Sequence, residues 1–222
     1  MTAFAPILEA ALARTGGEGA LATRLPEAKP AAELLAMSDD RYLSLMSLRV
    51  FRAGIKHSVV DARWPAFEDA FHGFDPGRVR PMSDEDLEAL MGNTRLIRHW
   101  SKIKSVRANA AAISAVSEES GGFGAYLADW PSEIVVGLWD DLAKRFSNLG
   151  GASGPYFLRM AGKDTFILTP SVVKALIHWG AVDGEPKGKR ARAQVQETFN
   201  AWAEETGRPL CQLSMILAQS VD

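Results

Sequence analysis

The sequence predicts an all-α protein, and three observations lead to that prediction. Apolar residues recur at three- and four-residue intervals in one segment after another, which is the spacing of a buried helix face. No segment alternates apolar and polar residues in the way a half-buried strand does. Residues suited to helix starts, together with clusters of proline and glycine, separate the periodic segments.

The individual helices follow from these patterns in chain order. A helix over 38–54 begins at Ser38, a good capping residue, and carries an apolar stripe along its length. Ser83 and the acidic residues after it begin a short helix. Pro131 suits the first turn of a helix that extends to about 146. The same spacing predicts further helices at 101–117, 189–206 and 209–220.

Composition excludes several classes of protein. Of 222 residues, 47% are apolar and 23% charged, which is ordinary globular usage. No apolar run approaches the ~20 residues that span a bilayer, and no basic segment precedes the first apolar stretch as in a secretory signal. A single cysteine, Cys211, excludes an internal disulfide and a multi-cysteine zinc site. We expect a cytoplasmic monomer with no membrane contact, metal or cofactor, built from an N-terminal helical extension (1–37) and a main domain (38–222).

Charge is distributed unevenly although the net charge is only −2. Residues 95–107 contain five bases and no acid, and residues 144–192 contain nine bases and three acids. Residues 118–141 contain six acids and no base. A basic face that contacts phosphate is one interpretation, and a set of solvated helix faces is the other.

A glycine-rich stretch lies between the helix that ends near 146 and a following helix that contains Tyr156. A tight turn between two helices can present several backbone N–H groups at a helix N-terminus, which bind a phosphate without regard to base sequence. We therefore predict a phosphate-binding hairpin here, although any helical turn can contain glycine. Its residues are Leu149, Gly150, Gly151, Ala152, Ser153 and Gly154.

Residues 162–176 resemble the stretch that follows the hairpin in helix-hairpin-helix DNA glycosylases. In many of these proteins a short apolar run leads to an aspartate at the start of the next helix, and a gapless alignment places that aspartate at Thr169. An aspartate there is kept ionised by the helix N-terminus and stabilises a cationic sugar. Thr169 cannot supply the charge, so we expect it to cap the helix, with Pro170 as the first helical residue.

A longer resemblance, over residues 53–110, is to the DNA-3-methyladenine glycosylase I family. The family's spacing is kept without a gap, and the match returns more faintly at 141–160. The matching residues are Ala53, Gly54, Phe71, His72, Gly73, Phe74, Asp75, Pro76, Met82, Glu85, Asp86, Leu90, Ile97, Arg98, His99, Lys102, Ile103, Asn109 and Ala110.

This resemblance implies a helix-hairpin-helix DNA glycosylase fold, with helical lobes around a cleft. It implies double-stranded DNA as the partner, held by the hairpin. It also implies base excision, in which a damaged base leaves the stack and its N-glycosidic bond is hydrolysed.

The sequence departs from the family at the residues that contact the damaged base and bind zinc. The glutamate that contacts the cationic base in the family is Arg49 here, and the tryptophan that stacks on that base is His57. The family's aromatic and acidic N-terminal motif has no counterpart in 1–37, and its zinc site cannot be assembled with Cys211 alone. No catalytic residue is therefore assigned.

Arg49 has three possible roles in the sequence. If it faces the base pocket, a cationic base is repelled. Arg49, Arg52 and Lys56 lie three and four residues apart, so we expect them to share one helix face, and that face contacts phosphate or solvent if it does not line the pocket. His57 is a candidate stacking or proton-transfer group, and it is also compatible with a structural role. The carboxylates nearest in sequence are Asp39, Asp40 and Asp61.

Two functions follow. One is a divergent DNA N-glycosylase whose pocket no longer suits cationic purines. The alternative is a non-catalytic DNA-binding relative that keeps the hairpin and has lost the chemistry. An unrelated helical interaction protein is expected only if 144–160 is not a hairpin.

Overall fold

The computed structural model describes residues 2–221, and within them the chain forms α-helices and two short 3-10 turns but no β-strand. The all-α prediction is confirmed. The helices are α1 (Ala5–Thr15), α2 (Glu18–Ala22), α3 (Ala31–Ala36), α4 (Asp39–Arg52), α5 (His57–Asp61), α6 (Trp64–Ala70), α7 (Pro76–Val79), α8 (Asp84–Gly92), α9 (Trp100–Ser120), α10 (Phe123–Asp129), α11 (Val135–Arg145), α12 (Ser153–Ala161), α13 (Pro170–His178), α14 (Gly188–Thr206) and α15 (Leu210–Gln219).

The chain divides into two compact units, each made of segments that are distant in sequence. The first unit contains the residues up to 29, then 131–138, and the residues from 162 onwards. The second contains 30–130 and 139–161. These units cut the chain at places other than residue 37, and the division into an extension (1–37) and a domain (38–222) stays a prediction.

Local sequence determines several helix ends. Ser83 Oγ accepts a hydrogen bond from the amide of Asp86, and an Asp86 carboxylate oxygen accepts one from the amide of Ser83, which makes a complete capping box on α8. Thr169 Oγ1 accepts from the amide of Val172, and Pro170 is the first residue of α13. The prediction that Thr169 caps this helix is confirmed.

An aromatic cluster organises the core of the second unit. Phe51 of α4 packs against Phe67 and Trp64 of α6, with ring centroids 4.5 and 6.2 Å apart respectively. Phe71 and Phe74 extend the cluster and are fully buried. α4 also packs against α9 and α12.

Polar side chains join separate segments of the first unit. The carboxylate of Asp164 accepts hydrogen bonds from the amides of Leu210 and Cys211 and so caps the start of α15. Phe166 stacks on Phe199 of α14 with ring centroids 4.3 Å apart. α1 packs against α15, and none of the described helices is long and apolar enough to cross a bilayer.

Candidate functional site

The turn expected from the sequence is present between α11 and α12, within the segment 139–161 of the second unit. α11 ends at Arg145 and α12 begins at Ser153. The tip between them, Gly150 to Ala152, is exposed, and Gly151 has a φ of +59°, a left-handed conformation that favours glycine. Ser153 is half-buried, and its amide donates to the carbonyl of Gly150 at 3.2 Å, which closes the turn.

The amides of the turn are the chemically notable groups. Within residues 2–221, the backbone N–H groups of Gly150, Gly151 and Ala152 donate no hydrogen bond to the protein. They lie at the start of α12, where the helix dipole also favours negative charge. Consecutive backbone donors at a helix N-terminus are suited to an anion, and the phosphate-binding role of this turn stays a prediction.

Two contacts hold the turn in place. Gly154 is buried, and a β-carbon there would lie 3.0 Å from the carbonyl oxygen of Leu149, which is tighter than ordinary contacts. Fully buried Asn109 of α9 exchanges two hydrogen bonds with the backbone of Ser147, at 2.7 and 3.1 Å. The Asn109 bonds fix the base of the turn to α9, and the close approach of Gly154 to Leu149 keeps the turn itself tight.

A groove of about 530 Å³ runs between the first half of α9 and the base of the hairpin. Lys104 is exposed in this groove, with its ammonium 5.5 Å from the ring centroid of half-buried Trp100. A cation beside an indole face is suited to a ligand that has both phosphate and base. The remaining lining residues are Ser101, Ser105, Arg107, Ala108, Ser147 and Asn148.

The basic run at 95–107 is only partly available to a ligand. Arg95 pairs with Asp69 at 3.1 Å, and Arg107 pairs with Asp84 and donates to the carbonyl of Met82. Lys102 donates to carbonyl oxygens at the end of α4. In the described part of the chain, Arg98 and Lys104 are the members of the run that are exposed and form no ion pair.

Arg49 lies on the side of α4 that faces α12. Its guanidinium carbon is 4.5 Å from the ring centroid of Tyr156. The side chain is half-buried, its Nε is inaccessible to solvent, and among residues 2–221 it makes no hydrogen bond or ion pair. Burial lowers the pKa of Arg49, and the neighbouring charge of Arg52 lowers it further, although Tyr156 opposes the shift.

Lys102 brings a second positive charge to the end of α4. Its ammonium donates to the carbonyl oxygens of Phe51 at 3.3 Å and Ala53 at 2.5 Å, which are unpaired helix-terminal acceptors. Burial lowers the pKa of Lys102, and the charge of Arg49 lowers it further. Neither cation has a carboxylate partner in the described residues.

The expected face of Arg49, Arg52 and Lys56 does not form, so that prediction is wrong. α4 ends at Arg52, Ala53 is extended, and Gly54 has a φ of +76°, which places Lys56 outside the helix. Arg52 instead pairs with Asp61 at 2.8 Å. The chain turns here because Gly54 adopts a left-handed conformation that ends the helix.

The other candidate residues form no hydrogen bond or ion pair with Arg49 in the described residues. His57 is exposed at the first position of α5, and no described residue is in ring contact with it. Asp39 accepts hydrogen bonds from Ser117 Oγ and the amide of Phe123. Asp40 pairs with Arg41 and Asp61 with Arg52, so all three carboxylates are engaged. Residues 2–221 contain no cluster of three His, Cys, Asp or Glu placed to hold a metal ion.

Two structural partners were not assigned by the sequence analysis. Asn109 was identified only as a matching residue, yet its place on the apolar face of α9, between Val106 and Ile113, is a usable signal. A buried amide requires hydrogen-bond partners. Tyr156 was identified only as a helix residue, and nothing local indicates that its ring meets Arg49.

Comparison with known proteins identifies the family. The methyladenine glycosylase family model matches residues 34–144, which is half of the chain and ends before the hairpin turn. The DNA-3-methyladenine glycosylase of Haemophilus influenzae is 34% identical over 67 residues, 30% of this chain and 36% of the relative. The chain thus matches little more than a third of that relative's length.

Solved structures extend the similarity in fold. The 3-methyladenine DNA glycosylase I of Staphylococcus aureus aligns with a TM-score of 0.51 and 22% identity, over 56% of this chain and 77% of the other. The Methanocaldococcus jannaschii 8-oxoguanine glycosylase/lyase, solved with a 15mer DNA containing 8-oxoguanine, aligns with a TM-score of 0.57 and 14% identity, over 95% and 94%. The fold is that of helix-hairpin-helix DNA glycosylases, and the chain belongs to the methyladenine glycosylase family.

Proposed function

We propose that this protein is a DNA glycosylase that binds double-stranded DNA through the hairpin of α11 and α12 and hydrolyses the N-glycosidic bond of a damaged base. Family membership supports the reaction class. The Haemophilus influenzae relative is named a DNA-3-methyladenine glycosylase, and the Methanocaldococcus jannaschii structural relative was solved with DNA.

The unpaired amides of Gly150, Gly151 and Ala152 are the single observation that carries the proposal of DNA binding. In water these donors are solvated at little cost, and a DNA phosphate replaces that water with a charged acceptor. Because the contact is made by backbone, it is independent of base sequence. A protein that searches for damage among normal bases needs such a contact.

The groove beside the hairpin provides a second contact along the same strand. Lys104 supplies a positive charge, and Trp100 supplies an aromatic face beside it. Phosphate attraction and base stacking are the two components of sequence-tolerant binding to nucleic acid. The groove therefore supports a path for the DNA strand past Ser147 and Asn148.

Excision requires the damaged nucleotide to leave the stack, because the glycosidic bond is shielded in the duplex. The bond between C1′ and the base nitrogen breaks with both electrons going to the base. Water then adds to C1′ and loses a proton to solvent. Asp39, Asp40 and Asp61 are occupied by other protein groups, so we propose that the base departs with little help from a carboxylic acid.

Binding to duplex DNA as a function of salt tests the first half of the proposal. We expect the dissociation constant to rise steeply with salt, with a slope of about 0.9 per phosphate contacted in a plot of its logarithm against that of salt concentration. Binding that is absent or insensitive to salt contradicts the proposed function.

Base release tests the second half. Duplexes that each contain one damaged base are incubated with excess protein, and the abasic product is measured after alkaline cleavage. Release of at least one base supports a glycosylase. Salt-dependent binding with no release from any duplex supports the non-catalytic relative instead.

A further inference from the structure

We infer that Arg49 binds a carbonyl oxygen of the extruded base, so that the substrate is a neutral base with such an oxygen rather than a cationic alkylated base. The inference rests on the proposed function and adds the class of substrate. It is carried by the contact of Arg49 with Tyr156 and by the position of the Lys102 ammonium at the end of α4, all in the second unit.

The N–H donors of Arg49 are unused in the described part of the chain. A guanidinium has five N–H donors in one plane, and within residues 2–221 none of those on Arg49 meets an acceptor. Its guanidinium carbon lies over the ring of Tyr156, 4.5 Å from the centroid, a contact that uses none of its N–H donors. An edge that offers parallel donors fits a planar acceptor.

The charges around Arg49 are positive. Arg49 is half-buried, and burial lowers its pKa, with the charge of Arg52 lowering it further against the opposing effect of Tyr156. Burial, and then the charge of Arg49, lower the pKa of Lys102. Arginine nevertheless stays protonated in proteins. Asp61 neutralises Arg52, but Arg49 and Lys102 have no carboxylate partner in the described residues, so this end of α4 attracts electron-rich oxygen and repels a cation.

A base and a phosphate both offer acceptor oxygens, and the solvent accessibility of Arg49 distinguishes between them. The Nε of Arg49 is wholly inaccessible to solvent, whereas a backbone phosphate on a duplex stays largely hydrated. The exposed amides at Gly150–Ala152 and exposed Lys104 already offer contacts suited to phosphate. A half-buried guanidinium whose Nε is shielded from water is better matched to a base that has left the stack than to a hydrated phosphate.

The chemistry of departure gives this contact a role in the reaction. When the bond between C1′ and a neutral base breaks, the electron pair makes the departing base an anion, and the charge spreads from the ring nitrogen to conjugated carbonyl oxygens. A hydrogen bond from Arg49 to such an oxygen strengthens as the charge develops and stabilises the transition state. Water supplies the hydroxyl that adds to C1′, and its proton passes to solvent, so no further reactant is required.

The test compares two classes of substrate in single-turnover base release. One class contains uracil, hypoxanthine or 8-oxoguanine, which are neutral as substrates and have carbonyl oxygens. The other contains 3-methyladenine or 7-methylguanine, which are cationic in DNA. We expect the wild type to release at least one neutral base about tenfold or more faster than either cationic base. Faster release of a cationic base overturns the inference.

Variants of Arg49 test whether the preference for a neutral base comes from this residue. Arg49→Gln is expected to slow release of the preferred neutral base by about 10²-fold, comparable to the loss of one donor to a developing oxyanion, and Arg49→Lys to restore part of the rate. Arg49→Glu is expected to favour 3-methyladenine. Arg80→Gln removes an exposed arginine that makes no ion pair in the described residues, and serves as the matched control with an unchanged rate. Equal rates in Arg49→Gln and wild type overturn the inference.

Salt dependence distinguishes the phosphate alternative. On undamaged duplex, Arg49→Gln keeps the salt slope of the wild type if Arg49 contacts the base. A slope reduced by about 0.9, as for one lost phosphate contact, with release of bound substrate unchanged, identifies a phosphate contact and overturns the inference.

A binding measurement keeps the inference testable if no base is released. Free hypoxanthine, uracil or 3-methyladenine is titrated by calorimetry into the protein bound to a duplex with a tetrahydrofuran abasic-site analogue. Binding of a neutral base that is lost in Arg49→Gln supports the inference even where catalysis, and with it the proposed activity, fails. Binding of 3-methyladenine alone, or of no base, overturns it while leaving salt-dependent DNA binding intact.

Discussion

Asn109 and Ser147 exchange two hydrogen bonds, one in each direction, between the side-chain amide of α9 and the backbone at the base of the hairpin. Asn109 has no solvent exposure, so both bonds form in surroundings where an unpaired amide is costly. The pair fixes the height of the hairpin turn above α9, next to the groove that contains Lys104. The binding that we propose for the hairpin thus depends on a residue that need not touch DNA.

Replacing Asn109 is predicted to weaken folding and DNA binding together. Asn109→Ala removes both bonds and leaves backbone groups of Ser147 unpaired, which costs about 1–3 kcal/mol of unfolding free energy in a urea titration. We expect weaker DNA affinity with the salt slope retained, because the number of phosphate contacts is unchanged in molecules that bind. Ser114→Ala, on the same helix, loses only a bond to its own helix at Ala110 and is expected to change neither property measurably.

Replacing Gly151 is predicted to weaken binding to all DNA sequences alike. Its φ of +59° is strained for valine, so Gly151→Val either distorts the turn or moves its amides. We expect at least tenfold weaker binding by fluorescence anisotropy, about 1.4 kcal/mol, on duplexes of unrelated sequence. Gly207, with a φ of +67° at the end of α14, is the matched control. Gly207→Val should lose similar stability and bind normally, and equal loss of binding in both variants would contradict a specific role for the turn.

Arg49 is predicted to reduce stability in the free protein. Its guanidinium is half-buried without an acceptor in the described residues, and replacing a poorly compensated buried charge with an apolar side chain is commonly stabilising. Arg49→Met should raise the unfolding free energy by about 1 kcal/mol. Arg41→Met is the comparison, because Arg41 bonds to Glu68 and to the carbonyl of Gly73, and its loss should be destabilising. A destabilised Arg49→Met would show that Arg49 is satisfied in the free protein.

The capping box of α8 is predicted to depend on pH. Hydrogen bonds from the backbone amide of Ser83, and then from its side chain, hold the pKa of Asp86 below its ordinary value. A depressed carboxyl pKa stabilises the fold at neutral pH, and the effect is lost as pH falls from the ordinary aspartate value of about 3.9 through the lower folded value. The difference in stability between wild type and Asp86→Asn should therefore shrink between pH 7 and pH 3. Ser83→Ala should cost about 1 kcal/mol at pH 7, and an unchanged difference for Asp86→Asn at pH 3 would argue against the linkage.

Much of the fold was predictable because its determinants lie within a few residues of one another. The helix predicted at 101–117 occupies 100–120 in the structure, and the one at 209–220 occupies 210–219. The caps at Ser83 and Thr169 each depend on a residue three positions later. The turn at 149–154 is likewise local, since glycine permits its backbone and apolar periodicity defines the helices on both sides.

The site was less predictable, because its properties come from groups that only packing brings together. The basic run at 95–107 was counted as available charge, yet Arg95 and Arg107 pair with acids from other segments and Lys102 caps α4. A charge count contains no information about such partners, which depend on how helices pack.

By itself, the sequence determined that the chain is helical, where the hairpin turns, and that an arginine stands where the resembling family has a glutamate. Only the tertiary structure decided that Arg49 lies against Tyr156 without an acceptor, and that Asn109 holds Ser147. The physical reason is the separation along the chain between the interacting groups. Backbone conformation and capping are settled between neighbours in the chain, whereas the burial and pairing of a charge depend on helices that approach from distant parts of it.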